Sequence, residues 1–247
     1  ERVGLDMPAL AVALEEFLAG ASRPQRDTSA LATWCLARAV ARDYRVVLGG
    51  DGGDDLFGGY PTYTLPWLRR RWGLLPRAAL DLARRLAAPL GGGGRYMAPA
   101  FVLQQLAQAW GRGVMSHFEV KNFLPRPLAA ELLPGRFALP AGERHEVERF
   151  RRCREEFPHD DEVRRLCWVD FRTFLAAGTI PKVERNTMRH SLEARLPFLD
   201  NEVIDLSIAT PSALMVRRRE TKLCLKAFFR RTLGAAHRAN PVKQGFT

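Results

Sequence analysis

Residues 46–60 read Val-Val-Leu-Gly-Gly-Asp-Gly-Gly-Asp-Asp-Leu-Phe-Gly-Gly-Tyr. No other stretch constrains the fold so tightly. Val46, Val47 and Leu48 are a short β-branched and apolar run, which predicts a buried strand over Arg45–Leu48. The run stops at Gly49-Gly50, and three carboxylates follow, Asp51, Asp54 and Asp55, spaced by Gly52-Gly53. Glycines let the backbone turn sharply and bring N–H groups against a ligand with no Cβ between them. Carboxylates crowded into such a turn repel one another. They are stable when solvated, when a hard cation such as Mg²⁺ binds them, or when one takes up a proton during chemistry. Ligands of open α/β sheets sit at the carboxyl ends of strands. The stretch therefore reads either as a magnesium-phosphate or acid/base loop, or as a solvated turn between a strand and a helix.

The surroundings suit a parallel sheet. Met7, Leu10, Leu14, Phe17 and Leu18 recur at helical spacing over residues 7–19, and Gly20 closes that helix. Asp27, Thr28 and Ser29 offer an N-cap for a helix over Ala30–Ala41, with Leu31, Trp34, Cys35 and Ala39 inward. Helix followed by strand is the order of a parallel α/β fold. Beyond Tyr60, helices are expected around Trp67 and Trp72, from Pro76, over 98–112 and over 114–124. Gly91–Gly94 reads as a loop, Leu124–Leu139 as irregular, and Gly142–Arg154 as a charged, exposed helix. Asp160-Asp161 cap a further helix whose face carries Val163, Leu166, Cys167, Asp170, Phe171 and Phe174; Asp170 reads as structural, paired with Arg172 or a basic group from elsewhere.

Two later segments stand out. Residues 182–200 run Lys-Val-Glu-Arg-Asn-Thr-Met-Arg-His-Ser-Leu-Glu-Ala-Arg-Leu-Pro-Phe-Leu-Asp, and charge alone suggests an ion-pair network of Glu184, Arg185, Glu193 and Arg195. Pro197 breaks any helix there, and Asp200 caps the next, Glu202–Ile208. After Arg217–Arg219 and Lys222, the residues Leu223, Leu225, Phe228 and Leu233 predict a basic amphipathic helix. Pro241-Val242-Lys243-Gln244-Gly245-Phe246 follows it.

Together these segments resemble the synthetase domain of glutamine-dependent asparagine synthetases. Residues 46–60 are similar to that family's Ser-Gly-Asp-Gly-Gly-Asp-Glu-Leu-Phe-Gly-Gly-Tyr signature, with Gly49 for Ser and Asp55 for Glu. Residues 182–200 are similar to its second signature, with Glu184 for Asp and Arg189 for a small residue, so that Arg189 is expected to crowd or recharge the pocket. Residues 243–246 are similar to its closing Lys-Gln-Gly-Phe, with Pro241 for the usual Arg. The resemblance spans most of the chain and implies an α/β fold. That fold is a mostly helical part of an adenine-nucleotide α-hydrolase-like (PP-loop) domain with a small parallel sheet, over residues 1–247.

The implied chemistry is AMP-forming amide synthesis. A carboxylate attacks the α-phosphate of ATP, pyrophosphate leaves, and ammonia attacks the acyl-adenylate. By family position Asp51 is the base or its electrostatic equivalent, Asp54 the Mg²⁺ ligand, and Lys243 the pyrophosphate cation. Gly49, Gly50, Gly52, Gly53 and Lys222 line the nucleotide, and Arg185 contacts phosphate or substrate. The resemblance implies an aspartate-like acceptor, ammonia from a glutaminase domain, and a cytoplasmic enzyme. Two departures from the family matter. No Ser-Gly-Gly-x-Asp-Ser nucleotide loop occurs in these residues, and no N-terminal glutaminase cysteine. The chain starts on Glu1 and ends straight after a motif, so it is expected to be part of something larger and inactive by itself.

Other members of the family close β-lactam or macrolactam rings, and Gly49 and Arg189 keep such acceptors in play. A reading from another class rests on charge. With 38 Lys and Arg against 27 Asp and Glu, the chain could serve as a basic nucleic-acid- or partner-binding helical module. That reading leaves the glycine-aspartate turn without a reason. No apolar run approaches the ~20 residues of a membrane span, and the four scattered cysteines form no Cys-x-x-Cys pair.

Overall fold

A computed structural model describes residues 4, 6–21, 27, 29–67, 78, 79, 82, 117, 118, 121, 145–217 and 220–234. Lys243 and its motif, the Gly91–Gly94 run, Leu124–Leu139 and most of the helices expected between 72 and 124 lie outside the described residues.

Helix α1 (Met7–Ala19) begins at Asp6, whose carboxylate accepts from the Ala9 N–H at 2.8 Å, and ends at Gly20. Its inner face differs in part from the expected one: Phe17 is buried as expected, together with Ala13, while Met7, Leu14 and Leu18 face outward. Small Ala13 lets α1 lie close to α2 (Ser29–Val40), where Ala30, Trp34 and Cys35 complete one core cluster with Phe17. Asp27 starts α2 as expected, accepting from the Ser29 N–H at 3.0 Å and the Ser29 hydroxyl at 2.6 Å.

Strand β1 (Val46–Leu48) pairs in parallel with β2 (Glu193–Arg195), in the register Val46 to Glu193, Val47 to Ala194 and Leu48 to Arg195. The fold is thus mostly helical α/β with a small parallel sheet. The strand was expected to be buried, and it is not: Leu48 is 76% exposed and Val46 42%. Its apolar composition reports strand propensity; burial depends on what covers it, and among the described residues only β2 pairs with it.

Beyond the turn lie α3 (Gly53–Leu56) and a 3₁₀ turn over Pro61–Thr64. Helix α4 (His145–Glu155), expected to be exposed, buries Phe150 and Cys153 against Tyr63, Leu166, Cys167 and Val169. Helix α5 (Glu162–Asp170) is capped by Asp161, which accepts from the N–H groups of Val163 and Arg164 at 3.1 and 3.2 Å.

The chain then continues without a break through a π-helix, Phe171–Thr179, into α6 (Ile180–Met188). Pro181 cannot donate to the preceding turn, and its ring needs room there. The wider winding supplies that room, with the Ile180 N–H reaching back five residues to the Leu175 carbonyl. A 3₁₀ turn (Pro197–Leu199) follows β2, then α7 (Asn201–Ala209), capped by Asp200 as expected, and α8 (Ser212–Met215). Helix α9 (Leu223–Leu233) forms where expected, yet none of its residues is buried, and Phe228 is 61% exposed.

Candidate functional site

The glycine-aspartate turn sits where β1 ends, as a ligand loop of an α/β sheet should. Gly52 adopts φ +90°, a left-handed conformation that suits glycine, and a Cβ there would meet Leu199 and Phe198. The 3₁₀ turn from the second signature therefore lies directly against the first, with Phe57 and Phe198 edge to face at 6.0 Å. The Gly49 N–H is taken by the Arg195 carbonyl at 2.8 Å, which continues the β ladder, and the Gly53 N–H reaches the Gly50 carbonyl at 3.4 Å. Gly50 donates to no backbone carbonyl among the described residues and is exposed, so its N–H is open to a ligand, whereas Gly52 is buried.

Asp51 and Asp54 are both half-buried on this turn. Burial pushes the Asp51 carboxyl above its usual range; Lys182 pulls it down, and Asp54 pushes it up. Asp54 Oδ1 lies 3.1 Å from Lys222 Nζ. Lys222 itself has φ +55° at the start of α9, and Gly59 leaves the gap the pair occupies: a Cβ there would run into both side chains. Asp51, Asp54, the glycines and Lys222 are thus brought together.

Arg185 is not among them. It is half-buried on α6 and lines a cleft with Phe17, Gly20, Ala21, Met188 and Arg189. Nor does the expected four-membered ion network form: Arg195 pairs with Glu193 at 2.7 Å, and Glu184 and Arg185 are outside that pair. Arg189 does not face the glycine-aspartate turn. Its guanidinium donates to the carbonyls of Glu16 and Phe17 at 3.1 and 3.0 Å, capping α1, and lies over the Phe17 and Trp34 rings.

Three features of this region escaped the sequence reading. Lys182 ties α6 to the start of α2, holding Asp27 Oδ2 and Ser29 Oγ at 2.9 Å each; its place at the head of the second signature was the available signal. Burial works against the Asp27 charge, yet the Ser29 and Lys182 contacts hold that carboxyl below its usual range.

Behind the turn, Asp170 Oδ2 takes three donors: the Tyr63 hydroxyl at 2.6 Å, His117 Nε2 at 2.8 Å and Lys121 Nζ at 2.5 Å. Burial pushes the Asp170 carboxyl up, but His117 and Lys121 outweigh it and hold it far below its usual range. Asp170 is structural, as expected; its basic partners come from elsewhere in the chain, and Arg172 pairs instead with Glu156 at 3.7 Å. Asp55, also beneath the turn, is 1% exposed, and its Oδ1 has no partner. Burial pushes its carboxyl to about 7, opposed by Lys121 and reinforced by Asp170 and Asp54.

Among the described residues no group of three or more His, Cys, Asp or Glu side chains could hold a metal ion. A divalent cation at this turn would have one or two carboxylates and would draw its other ligands from phosphate and water. That is the ordinary donor set of Mg²⁺, so Asp54, with Asp51 beside it, fits that ion. No helix among the described residues is long and apolar enough to cross a membrane.

The comparisons with known proteins follow the same lines. The asparagine synthase family profile matches residues 4–247. Relatives from Mycobacterium bovis and Mycobacterium tuberculosis, named "Putative asparagine synthetase (glutamine-hydrolyzing)", are 26% identical over 260 residues, covering 100% of this chain and 37% of their own length. A Bacillus subtilis relative, named "Asparagine synthetase (glutamine-hydrolyzing) 1", is 25% identical over 205 residues, 82% of this chain and 30% of its own. The chain thus spans about a third of the length of the curated relatives it matches. No solved structure matches. With the family profile running through both signatures and the turn they build, the chain belongs to the asparagine synthase family.

Proposed function

We propose that these residues form one synthetase domain and supply the pyrophosphate side of an ATP-dependent, AMP-forming amide synthesis. The observation that carries this reading is the turn itself: two half-buried carboxylates at a strand end, with Lys222 on Asp54 and Lys182 acting on Asp51.

In the proposed reaction an acceptor carboxylate oxygen attacks the α-phosphorus of ATP. The bond to the bridging oxygen breaks, and pyrophosphate departs with its electrons. The departing group gains negative charge, which cations must meet as the bond breaks. Asp54 would hold Mg²⁺, which supplies charge neutralisation on the phosphate oxygens. Lys222 would exchange Asp54 for phosphate, and Lys243 would add a second cation, by its place in the family's closing motif. The exposed Gly50 N–H suits a phosphate oxygen. Ammonia then attacks the acyl carbon, AMP leaves, and the ammonium formed gives up a proton. Asp51 would take that proton, a role supported by the burial that raises its carboxyl's affinity for one.

The similarity to proteins named asparagine synthetases supports aspartate as the acceptor and glutamine-derived ammonia as the nitrogen source. The Arg189 departure no longer argues for a different acceptor, since its guanidinium is committed to α1. The nucleotide loop of the family is absent from these 247 residues, so the chain alone is expected to lack turnover.

The test is pyrophosphate release from ATP by this chain set within a polypeptide of its relatives' length, assayed with aspartate, with other acids and with none. Release that depends on aspartate, and falls about 100-fold or more in Lys243→Ala, is expected. Release stimulated instead by another acid would reassign the acceptor, and an undiminished rate in Lys243→Ala would remove that lysine from the chemistry.

A further inference from the structure

Among the described residues, Ser191 and Lys222 are the residues other than glycine with a positive φ. Lys222 has φ +55° and ψ +38°, a left-handed conformation that a side chain disfavours and glycine adopts freely. The chain fixes it from both sides. Arg217 and Glu220 exchange two backbone hydrogen bonds of 2.9 Å before it, and after it the Lys222 carbonyl accepts from the Lys226 N–H at 2.9 Å, within the first turn of α9. Such a backbone persists only where its surroundings hold it, and ligand clamps are where it recurs.

The strained backbone aims the ammonium at Asp54, with Nζ 3.1 Å from Oδ1. The pair has a seat made for it. Gly59 carries no side chain, and a Cβ there would run into the Asp54 carboxylate and the Lys222 stem alike. The Gly59 N–H also donates to the Asp54 carbonyl at 2.7 Å, which fixes that gap beside the residue it serves. The Lys222 and Asp54 side chains stay 32% and 27% exposed, within reach of a ligand from solvent. Among the described residues Lys222 pairs with no other carboxylate.

A free divalent cation coming to Asp54 meets an oxygen that an ammonium already holds. One carboxylate and water bind Mg²⁺ weakly, and the displaced ammonium has no second acid to turn to. A phosphate oxygen arriving with the ion removes the conflict. It gives the ammonium a new partner and the ion a further ligand. We infer that Lys222 is a placeholder cation, which keeps free divalent ions off Asp54 and yields the carboxylate only to a metal–polyphosphate complex. This goes beyond a phosphate contact at Lys222, because it makes binding of the ion depend on binding of the phosphate. The exchange for phosphate rests on the proposed function; exclusion of the free ion does not.

The test uses Mn²⁺ as the probe. Its binding to the whole 247-residue chain is read from the paramagnetic resonance of the free ion, without nucleotide or phosphate. Lys222→Met removes the ammonium and keeps the stem. Lys222→Gly removes both and suits the left-handed backbone, so it keeps the test open if the Met variant does not fold. Each is expected to bind Mn²⁺ about tenfold or more tightly than the parent, and Asp54→Asn added to either is expected to abolish the gain. An unchanged or weaker Mn²⁺ affinity in either folded variant, or a gain that survives Asp54→Asn, would overturn the proposal. Calorimetry reads the other half: Mg²⁺ is expected to tighten pyrophosphate binding about tenfold more in the parent than in Lys222→Gly. An equal enhancement in the two would overturn the dependence of ion on phosphate. Mn²⁺ gained at Asp54 with no pyrophosphate binding by the parent refutes the proposed reaction and leaves the exclusion of free ions standing. Metal-aided pyrophosphate binding with no Mn²⁺ gain in the variants does the reverse.

Discussion

Replacing Asp170 by Asn tests how the chain segments behind the turn are held together. The substitution keeps the side-chain shape and removes the charge on which Tyr63, His117 and Lys121 converge. Lys121 is left 14% exposed without its counter-ion. Breaking a buried ion pair from one side typically costs about 3–5 kcal/mol. One feature softens this. The Lys121 ammonium lies 4.1 Å from the Tyr60 ring centre and 4.3 Å from that of Phe174, a cation–π contact worth about 1–2 kcal/mol when desolvated. The expected loss is therefore about 3 kcal/mol at pH 7, read by urea denaturation.

The loss must depend on pH in one direction. Asp170 is held far below its ordinary value in the fold, so its contribution is fully present above the unfolded value of 3.8 and drains away as pH falls below it. The Asn variant and the parent should converge in acid. Pairing Asp170→Asn with Lys121→Met should recover about 2 kcal/mol, because the uncompensated cation is gone. A cost below about 0.5 kcal/mol, the range of ordinary surface changes, would show that the cluster is not a structural anchor.

Asp55 should behave in the opposite sense. A buried carboxyl raised from 3.8 to about 7 keeps its proton in the fold while the unfolded chain loses it. Stability therefore falls as pH rises across that window and is flat above it. Asp55→Asn should match the parent near pH 4 and exceed it by up to about 4 kcal/mol at pH 8, with chelator present so that metal does not contribute. A gap of one size at both pH values would refute this. Arg189→Ala should cost about 1–2 kcal/mol by uncapping α1, read by thermal denaturation. Within a polypeptide of the relatives' length, it should leave acceptor preference unchanged; a changed preference would return Arg189 to the substrate pocket.

Much of the local structure was legible because its causes are local. Asp27, Asp161 and Asp200 each start the helix they were expected to start, since a cap satisfies backbone donors two or three residues away. The position of β1 was legible for the same reason, but its exposure was not, because burial is set by what lies across the sheet. The same nonlocality hid part of the inner face of α1: Phe17 is buried as expected, but close packing against α2 selects Ala13 beside it and leaves Leu14 and Leu18 outside. Strand β2 was invisible because Glu193-Ala194-Arg195 has no strand character of its own and is extended only by pairing with β1. The π-helix could be rationalised from Pro181 once seen, but nothing in 171–179 announces it.

At the site, the glycine-aspartate turn was legible from spacing, and its likeness to a family signature supplied the chemistry. The Asp54–Lys222 contact joins residues far apart in sequence, and only the fold brings them together. The structural role of Asp170 was legible but its partners were not: Tyr63, His117 and Lys121 share no pattern with Asp170 along the chain.

The most direct measurement is calorimetric titration of the chain with pyrophosphate, with and without Mg²⁺, for the parent and for Asp54→Asn. If the turn holds a metal-bound polyphosphate, Mg²⁺ should tighten pyrophosphate binding by about tenfold or more in the parent. In Asp54→Asn that enhancement should vanish, while Lys222, freed of its partner, still binds pyrophosphate without metal. An equal Mg²⁺ enhancement in both proteins would contradict the account.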